Sequence, residues 1–324
     1  MPADITAIIL TKNEEVNIEE CIKSIATAVK RIIVIDSYST DRTVEIAKRM
    51  GAEVHQHPFE NYAKQYMYGV EVAKAETVWT LRIDADERLT FESARELVQL
   101  CDCNMETDVA GIVLRFKKNF LGRDLYHGGV YPWKKMNCYK TKLGTIENRN
   151  MDEHIILSSG KVIEMKQDCL HFDFKNLEYF INKHNWYSSR ETVDYFENLE
   201  KKRSKNELDF KTWLKMRVYY KLPLGMRAHI YYIYRYYILG GFLDGKPGKI
   251  YAFLQAYWYR YLVDAKIYEC ETMNIKNNIL IKLSLVSCLI FCGFWLIAQN
   301  DLFIYKNGSI IFQGSTENID QVKI

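Results

Sequence analysis

The first 110 residues predict an α/β fold, a doubly wound and mainly parallel sheet, on three observations. Short runs rich in β-branched and apolar residues recur at Ile5 to Leu10, Arg31 to Ile35 and Thr77 to Ile83. Segments with the helical spacing of apolar residues separate them. Each run stops at a polar cluster: Thr11-Lys12-Asn13-Glu14-Glu15, Asp36-Ser37-Tyr38-Ser39-Thr40-Asp41 and Asp84-Ala85-Asp86-Glu87. Ligands of such sheets bind beyond the carboxyl ends of the strands, so the clusters mark the expected site.

The helix after the first strand is expected to begin at Asn17, an N-cap with Glu20 as its capping-box partner. Ile18, Cys21, Ile22 and Ile25 give it one apolar face. A second helix, about Thr43 to Met50, is stopped by Gly51, which tolerates the left-handed position, and Ser39 or Asp41 is expected to cap its start. A short strand near Glu53 to His55, a helix from about Asn61 to Ala73 and the strand Thr77 to Ile83 complete a βαβαβαβ pattern. From Gly111 to Phe174 the pattern changes to shorter alternating segments with polar turns, predicting strands and loops that close over the sheet's carboxyl edge. Asn176 to about Glu207 reads as a charged, solvated helix pair.

The chain of 324 residues is long enough for one large domain and an appendage. Its net charge of +3, without a compact Lys/Arg run, argues against a nucleic-acid binder. Eight scattered cysteines, of which only Cys101/Cys103 and Cys288/Cys292 lie close together, lack zinc-site spacing and read as reduced thiols of a cytosolic protein. Met1 to Asp4 runs straight into a strand, so the first domain is not expected to be secreted.

Aromatic content is high, 14% with 23 Tyr, and the excess has a location. Lys211 to Lys266 carries ten Lys/Arg against Asp244 and Asp264, interleaved with tyrosines. That composition fits amphipathic helices lying in a membrane interface. Ile279 to Ala298 is a twenty-residue apolar stretch, interrupted by Lys282, and has the length of a transmembrane helix. Lys276 and Lys282 on one side and Asp301 on the other favour a main domain on the cytoplasmic face. Leu302 to Ile324 is expected to form a hairpin around Asn307-Gly308.

Asp84-Ala85-Asp86 places two carboxylates at i, i+2 just after a buried strand, an arrangement suited to Mg²⁺ or Mn²⁺, which completes its shell with phosphate oxygens and water. Asp36 can accept hydrogen bonds from a base or ribose. No G-x-G-x-x-G follows the first strand and no G-x-x-x-x-G-K-[ST] occurs, which excludes dinucleotide-binding and P-loop readings.

In order and spacing the three clusters closely resemble those of family 2 glycosyltransferases, which have the Rossmann-like GT-A fold. His127-Gly128-Gly129-Val130-Tyr131-Pro132, Met151-Asp152-Glu153-His154 and His171 look like that family's glycine loop, acidic base motif and C-terminal histidine. Gly241 to Gly248 and Gln255 to Arg260 are similar to the branch of lipopolysaccharide-core glucosyltransferases and capsule or exopolysaccharide enzymes. The resemblance spans roughly residues 4 to 270.

It implies that Asp36 and Thr11 or Glu14 contact a nucleoside, usually uridine, that Asp84 approaches the ribose, and that Asp86 binds the metal with His171 touching metal or diphosphate. Asn13, Ser37, Lys64 and Ala85 join the nucleotide-sugar set. The implied reaction is inversion by direct displacement, with Glu153 as base and Asp152 as its rival. His127 and His154 are not taken as ligands. The processive Gln-x-x-Arg-Trp is absent, so one sugar is added per encounter. Residues 1–205 then form the catalytic domain: 1–110 for the nucleotide-sugar, 111–175 for the acceptor and 176–205 helical. Residues 206–275 are interface helices, and 276–324 hold the transmembrane candidate and tail. The expected activity is transfer from a UDP-sugar to a lipid-linked saccharide of a bacterial envelope polymer, at the cytoplasmic face of the inner membrane. The alternatives are a sugar nucleotidylyltransferase and a non-catalytic nucleotide-binding scaffold.

Overall fold

A computed structural model describes residues 1–147, 154–203, 222–223, 225–272, 296–298, 301–306 and 309–315. The chain divides into two compact units, Met1–Asn185 with Met226–Tyr259, and Trp186–Gly225 with Arg260–Ile324.

The first unit is built on a nine-stranded sheet. Its N-terminal half alternates as expected: β1 (Ala3–Thr11), α1 (Ile18–Ile25), β2 (Val29–Asp36), α2 (Thr43–Arg49), β3 (Glu53–Gln56), α3 (Tyr62–Ala73) and β4 (Trp79–Asp84). β3, β2, β1 and β4 lie side by side in that order, all parallel. Alternation along β1 explains the two-sided winding, because successive side chains of a strand point to opposite faces. Ile5, Ala7 and Ile9 pack with Ile18, Ile22 and Ile25 of α1, whereas Ile8 packs with Ile33, Ile35 and Tyr66 on the face covered by α3.

The C-terminal half adds β5 (Glu87–Arg88), α4 (Phe91–Cys103), β6 (Val109–Phe120), β7 (Arg123–Leu125), β8 (Trp133–Lys140), β9 (Gly144–Ile146), β10 (Ile155–Leu157) and β11 (Lys161–His171). The expectation of short strands closing over the carboxyl edge is corrected here. β6 and β11 have 12 and 11 residues, and with β8 they extend the same sheet sideways in the order β4-β8-β6-β11-β5. β8 runs antiparallel to both β4 and β6, whereas β6 and β11 pair in parallel, so the sheet is mixed beyond β4.

Local signals explain the helix ends. Gly51 adopts φ +82° beyond α2, and Asn61 caps α3 by accepting a hydrogen bond from Lys64 N. The capping box at Asn17 does not form: its side chain donates to Glu14 Oε2 at 2.9 Å, and Glu20 pairs with Lys23. At α2 the first-turn amide of Thr43 is met by Asp41 at 3.0 Å, while Ser39 turns to Asp36.

The charged segment after Asn176 is one helix, α5 (Leu177–Arg203), and not the expected pair. Met226–Ile233 is α-helical and continues as a π-helix over Tyr234–Ile238. A 3-10 turn at Gly241–Asp244 leads into the helix Gly245–Ala252 and a second π segment, Phe253–Trp258. In the second unit the helix Tyr259–Thr272 is tied to α5 by Arg260 and Glu191 at 2.9 Å. Strands β12 (Leu296–Ala298), β13 (Asp301–Lys306) and β14 (Ser309–Ser315) form an antiparallel sheet, and the expected Asn307-Gly308 turn lies outside the described residues. The transmembrane candidate lies outside the described residues over 279–295, and its last three residues are strand, not helix. Among the described residues no helix is long and apolar enough to cross a membrane.

Gly69 sets the approach of α3 to the sheet: a Cβ there would meet Ile8 Cγ2 at 2.7 Å and Ile35 Cγ1 at 3.0 Å. Alanine would gain about 1 kcal/mol of helix propensity, but overpacking costs roughly 1–3 kcal/mol. Gly69→Ala is therefore expected to lower the unfolding free energy by about 1 kcal/mol in a urea titration, although the same change stabilises an exposed helix.

Candidate active site

Strand register gathers the clusters. Leu10 pairs with Asp84 and Thr11 with Asp36, so the two carboxylates flank the end of β1, separated by two strand spacings of about 4.8 Å each. Asp36 is fully buried and accepts from Thr11 Oγ1 at 3.1 Å, Ser39 N at 2.9 Å and Gln56 Nε2 at 3.2 Å. Asn13, at φ +54°, accepts from Thr40 N at 2.8 Å, and its own amide donates to Ser39 Oγ at 2.8 Å. Buried Ser37 accepts from Gln65 Nε2 at 3.0 Å. Lys12 Nζ donates to the carbonyls of Ser37 and Tyr38, which stitches the first two clusters into one shelf. Lys64 is exposed and paired with Glu60, one turn before it.

The third cluster turns on Glu87, to which the sequence analysis assigned no role. Glu87 is fully buried, accepts from Asp84 N at 3.0 Å and pairs with Lys135 Nζ at 2.7 Å. Lys135 also reaches Asp84 Oδ2 at 3.2 Å and lies 4.1 Å above the Trp133 ring. Burial pulls the Lys135 ammonium down, but Glu87 and Asp84 outweigh it and hold its pKa above the usual lysine value. Burial likewise raises Asp84, and Lys135 with Arg82 brings it below the ordinary carboxylate range. Ala85 is buried between the two aspartates.

Asp86 faces His171, with Oδ2 3.6 Å from Nε2. Burial pushes the Asp86 carboxyl up, yet His171 and Lys183 hold it well below its usual value. The pairing of β11 with β5, His171 opposite Glu87, and the hydrogen bond from Phe172 N to Asp86 O at 2.8 Å create this meeting. The His171 ring sits 4.7 Å from that of Trp133, and its Nδ1 is buried without a hydrogen-bond partner. Alternation continues past the strand: Asp173 pairs with Lys118 at 2.8 Å and Lys175 with Glu14 at 2.9 Å. Burial raises the Glu14 carboxyl, and Lys175 only partly offsets it. Burial also raises Asp173, but Lys118 and His171 bring it far below its ordinary value.

Asp152 and Glu153 lie outside the described residues. His154 is exposed, 3.6 Å from Glu147. His127 pairs with buried Asp244 at 2.8 Å. Among the described residues no group of three His, Cys, Asp or Glu side chains forms a metal cage. A carboxylate and an imidazole facing each other still suit a hard cation whose remaining ligands are phosphate oxygens and water. Sequence reasoning missed Glu87, Lys118, Lys135, Asp173 and Lys175. Glu87 was visible as an acid beside the Asp84-Ala85-Asp86 turn, but the lysines arrive across the sheet and leave no local signal.

Residues 6–157 match the sequence model described as glycosyl transferase family 2. Over 287 residues the chain is 28% identical to an uncharacterized glycosyltransferase of Rickettsia felis, covering 85% of this chain and 93% of that protein. It is also 25% identical to the lipopolysaccharide core biosynthesis glycosyltransferase LpsC of Rhizobium meliloti, covering 85% of this chain and 96% of that one. Over residues 6–157 the chain is similar to glycosyl transferase family 2, and the similarity to the two named relatives extends over most of its length. A solved structure of glucosyl-3-phosphoglycerate synthase from Mycobacterium tuberculosis, with Mn²⁺, UDP and glucosyl-3-phosphoglycerate, aligns at 22% identity and a TM-score of 0.29, over 36% of this chain and 44% of that one.

Lys135→Ala strands Glu87 in the core, and removing one partner of a buried pair costs roughly 3 kcal/mol. Urea unfolding at neutral pH is expected to show that loss. For Asp173 the folded pKa lies below the unfolded one, so its contribution is present above its ordinary value of 3.8 and fades as pH falls below it. The stability gap between wild type and Asp173→Asn should therefore be full at pH 7 and shrink on acidification below about pH 4.

Proposed function

We propose that this chain is an inverting, divalent-cation-dependent transferase that moves one sugar from a nucleotide-sugar, in our reading a UDP-sugar, to a lipid-linked saccharide of a bacterial envelope polysaccharide. The observation that carries it is Asp86 facing His171 at 3.6 Å, on the sheet edge that also presents Asp36 and Asp84. Asp36 and Thr11 would hold the nucleoside, with Asn13, Glu14 and Ser37 shaping the shelf and Lys64 at its margin. Asp84 and Ala85 would border the ribose. Asp86 and His171 would hold Mg²⁺ or Mn²⁺, which neutralises charge on the departing diphosphate. Glu153, with Asp152 as the competing candidate, would take the proton of the acceptor hydroxyl.

Lys118, Lys135 and Lys175 keep the surrounding carboxylates compensated before any substrate arrives, and so preorganise the turn. The relative named for lipopolysaccharide core biosynthesis supports an envelope acceptor, and our reading places the reaction at the cytoplasmic face of the inner membrane.

Purified protein is expected to turn over UDP-sugars with Mg²⁺ or Mn²⁺ and to stop when EDTA is added. Asp86→Asn should lower turnover by about 100-fold, read as UDP released at a temperature where circular dichroism shows the variant folded. Undiminished turnover in that variant, or activity indifferent to EDTA, would remove the metal role. Failure across a donor panel with membranes supplied would remove the transferase.

A further inference from the structure

The helices of residues 226–253 are turned inside out. In the helix Met226–Ile233, Arg227 is 3% exposed and Ala228 fully buried, whereas Ile230 and Ile233 face outward. The same stripe continues through Tyr237 and Ile238, the latter 71% exposed. Leu243, 54% exposed, and Ile250 extend the outward apolar surface into the next helix. Spacings of three and four residues put the outward residues of each segment on one face. Both helices belong to the first unit, where the helix Met226–Ile233 packs on the π segment Phe253–Trp258 and the helix Gly245–Ala252 on the π segment Tyr234–Ile238.

The exposed charges of this segment have one sign. Asp244, the segment's lone carboxylate from 226 to 259, is buried and engaged by Tyr126 N, His127 N and His127 Nδ1. Lys246 and Lys249 are exposed beside Leu243 and Ile250. Lysine is depleted at the core of protein interfaces. Apolar side chains set among lysine and tyrosine, without an exposed acid, complement anionic headgroups over an acyl layer.

We propose that this face is a docking surface for an anionic lipid bilayer, with Ile238 and Leu243 entering the acyl boundary. The same segment holds the loop His127-Gly128-Gly129: Asp244 grips His127, and Leu239 O accepts from Gly128 N at 2.8 Å. Docking therefore fixes that loop beside the lipid surface. Its use in presenting a lipid-linked acceptor rests on the function proposed above, whereas the surface itself stands on its own side chains.

The test uses the full chain with an environment-sensitive fluorescent amino acid in place of Ile238, Leu243 or, as reference, Phe91, an exposed aromatic of α4. Vesicles contain phosphatidylglycerol or only phosphatidylcholine, with or without doxyl-labelled acyl chains. Probes at Ile238 and Leu243 are expected to shift to the blue and lose at least half their intensity to the doxyl lipid on phosphatidylglycerol vesicles, with a weaker response on phosphatidylcholine or in about 1 M salt, where the Debye length is near 3 Å. The Phe91 probe should not respond. Vesicle-bound protein whose Ile238 and Leu243 probes stay unquenched would overturn the proposal by assigning attachment to another segment. So would absence of vesicle binding, or a blue shift that follows protein concentration without lipid, the signature of a second copy on this face. Quenching in a protein that transfers no sugar would leave the surface standing and remove only the transferase reading.

Discussion

Carboxylates crowded at one end of a sheet repel one another and resist burial, and the architecture of this protein answers that constraint. Asp84, Asp86 and Glu87 occupy a single turn, with Glu14 beside it. Like charges so close cannot all remain ionised without compensation. The acids Glu14, Asp84, Asp86 and Glu87 lie at and just beyond the ends of β1 and β4, and later elements supply cations to them: Lys135 from β8, and His171 and Lys175 at and beyond the end of β11, while Lys118 from β6 holds the neighbouring Asp173. The switch from parallel to antiparallel pairing at β4 and β8 is thus an electrostatic event as much as a topological one. It brings Lys135 under the turn from a strand about fifty residues away in sequence.

Compensation also differs across the edge. Asp36 is satisfied by neutral donors, hydroxyls and amides of its own shelf, and makes no ion pair among the described residues. Asp84 and Glu87 share one ammonium, whereas Asp86 meets an imidazole whose second nitrogen is unpartnered. A hydrogen-bonded carboxylate suits a neutral ligand such as a nucleoside, and a carboxylate facing imidazole suits a cation with phosphate. This graded environment distinguishes the positions chemically, which the bare spacing Asp84-Ala85-Asp86 does not.

Much of the N-terminal half was legible because its signals are local. The alternation of Ile5, Ala7 and Ile9 with Ile8, the stop at Gly51 and the cap at Asn61 each act within a few residues. The capping box at Asn17 failed for the opposite reason: Glu14 offered the side chain a better partner, and Glu20 lay within reach of Lys23. The strands after Gly111 were read as short and overlying because Gly, Pro and polar turns break the pattern. In fact β6 and β11 are long, and sheet extension outweighed local punctuation.

By itself the sequence determined the order of strands and helices in the first half and the polar clusters at the strand ends, since side-chain alternation and helix-stop chemistry are written in neighbouring residues. It also carried the resemblance to family 2 glycosyltransferases, through the spacing of those clusters. Only the tertiary structure decided which cation meets which acid, that Glu87 is buried beneath the turn, that Asp244 grips the glycine loop, and that residues 226–253 wear their apolar stripe outward. Those outcomes depend on contacts between residues tens to more than a hundred positions apart, and a pairing energy between distant groups leaves no periodic trace along the chain.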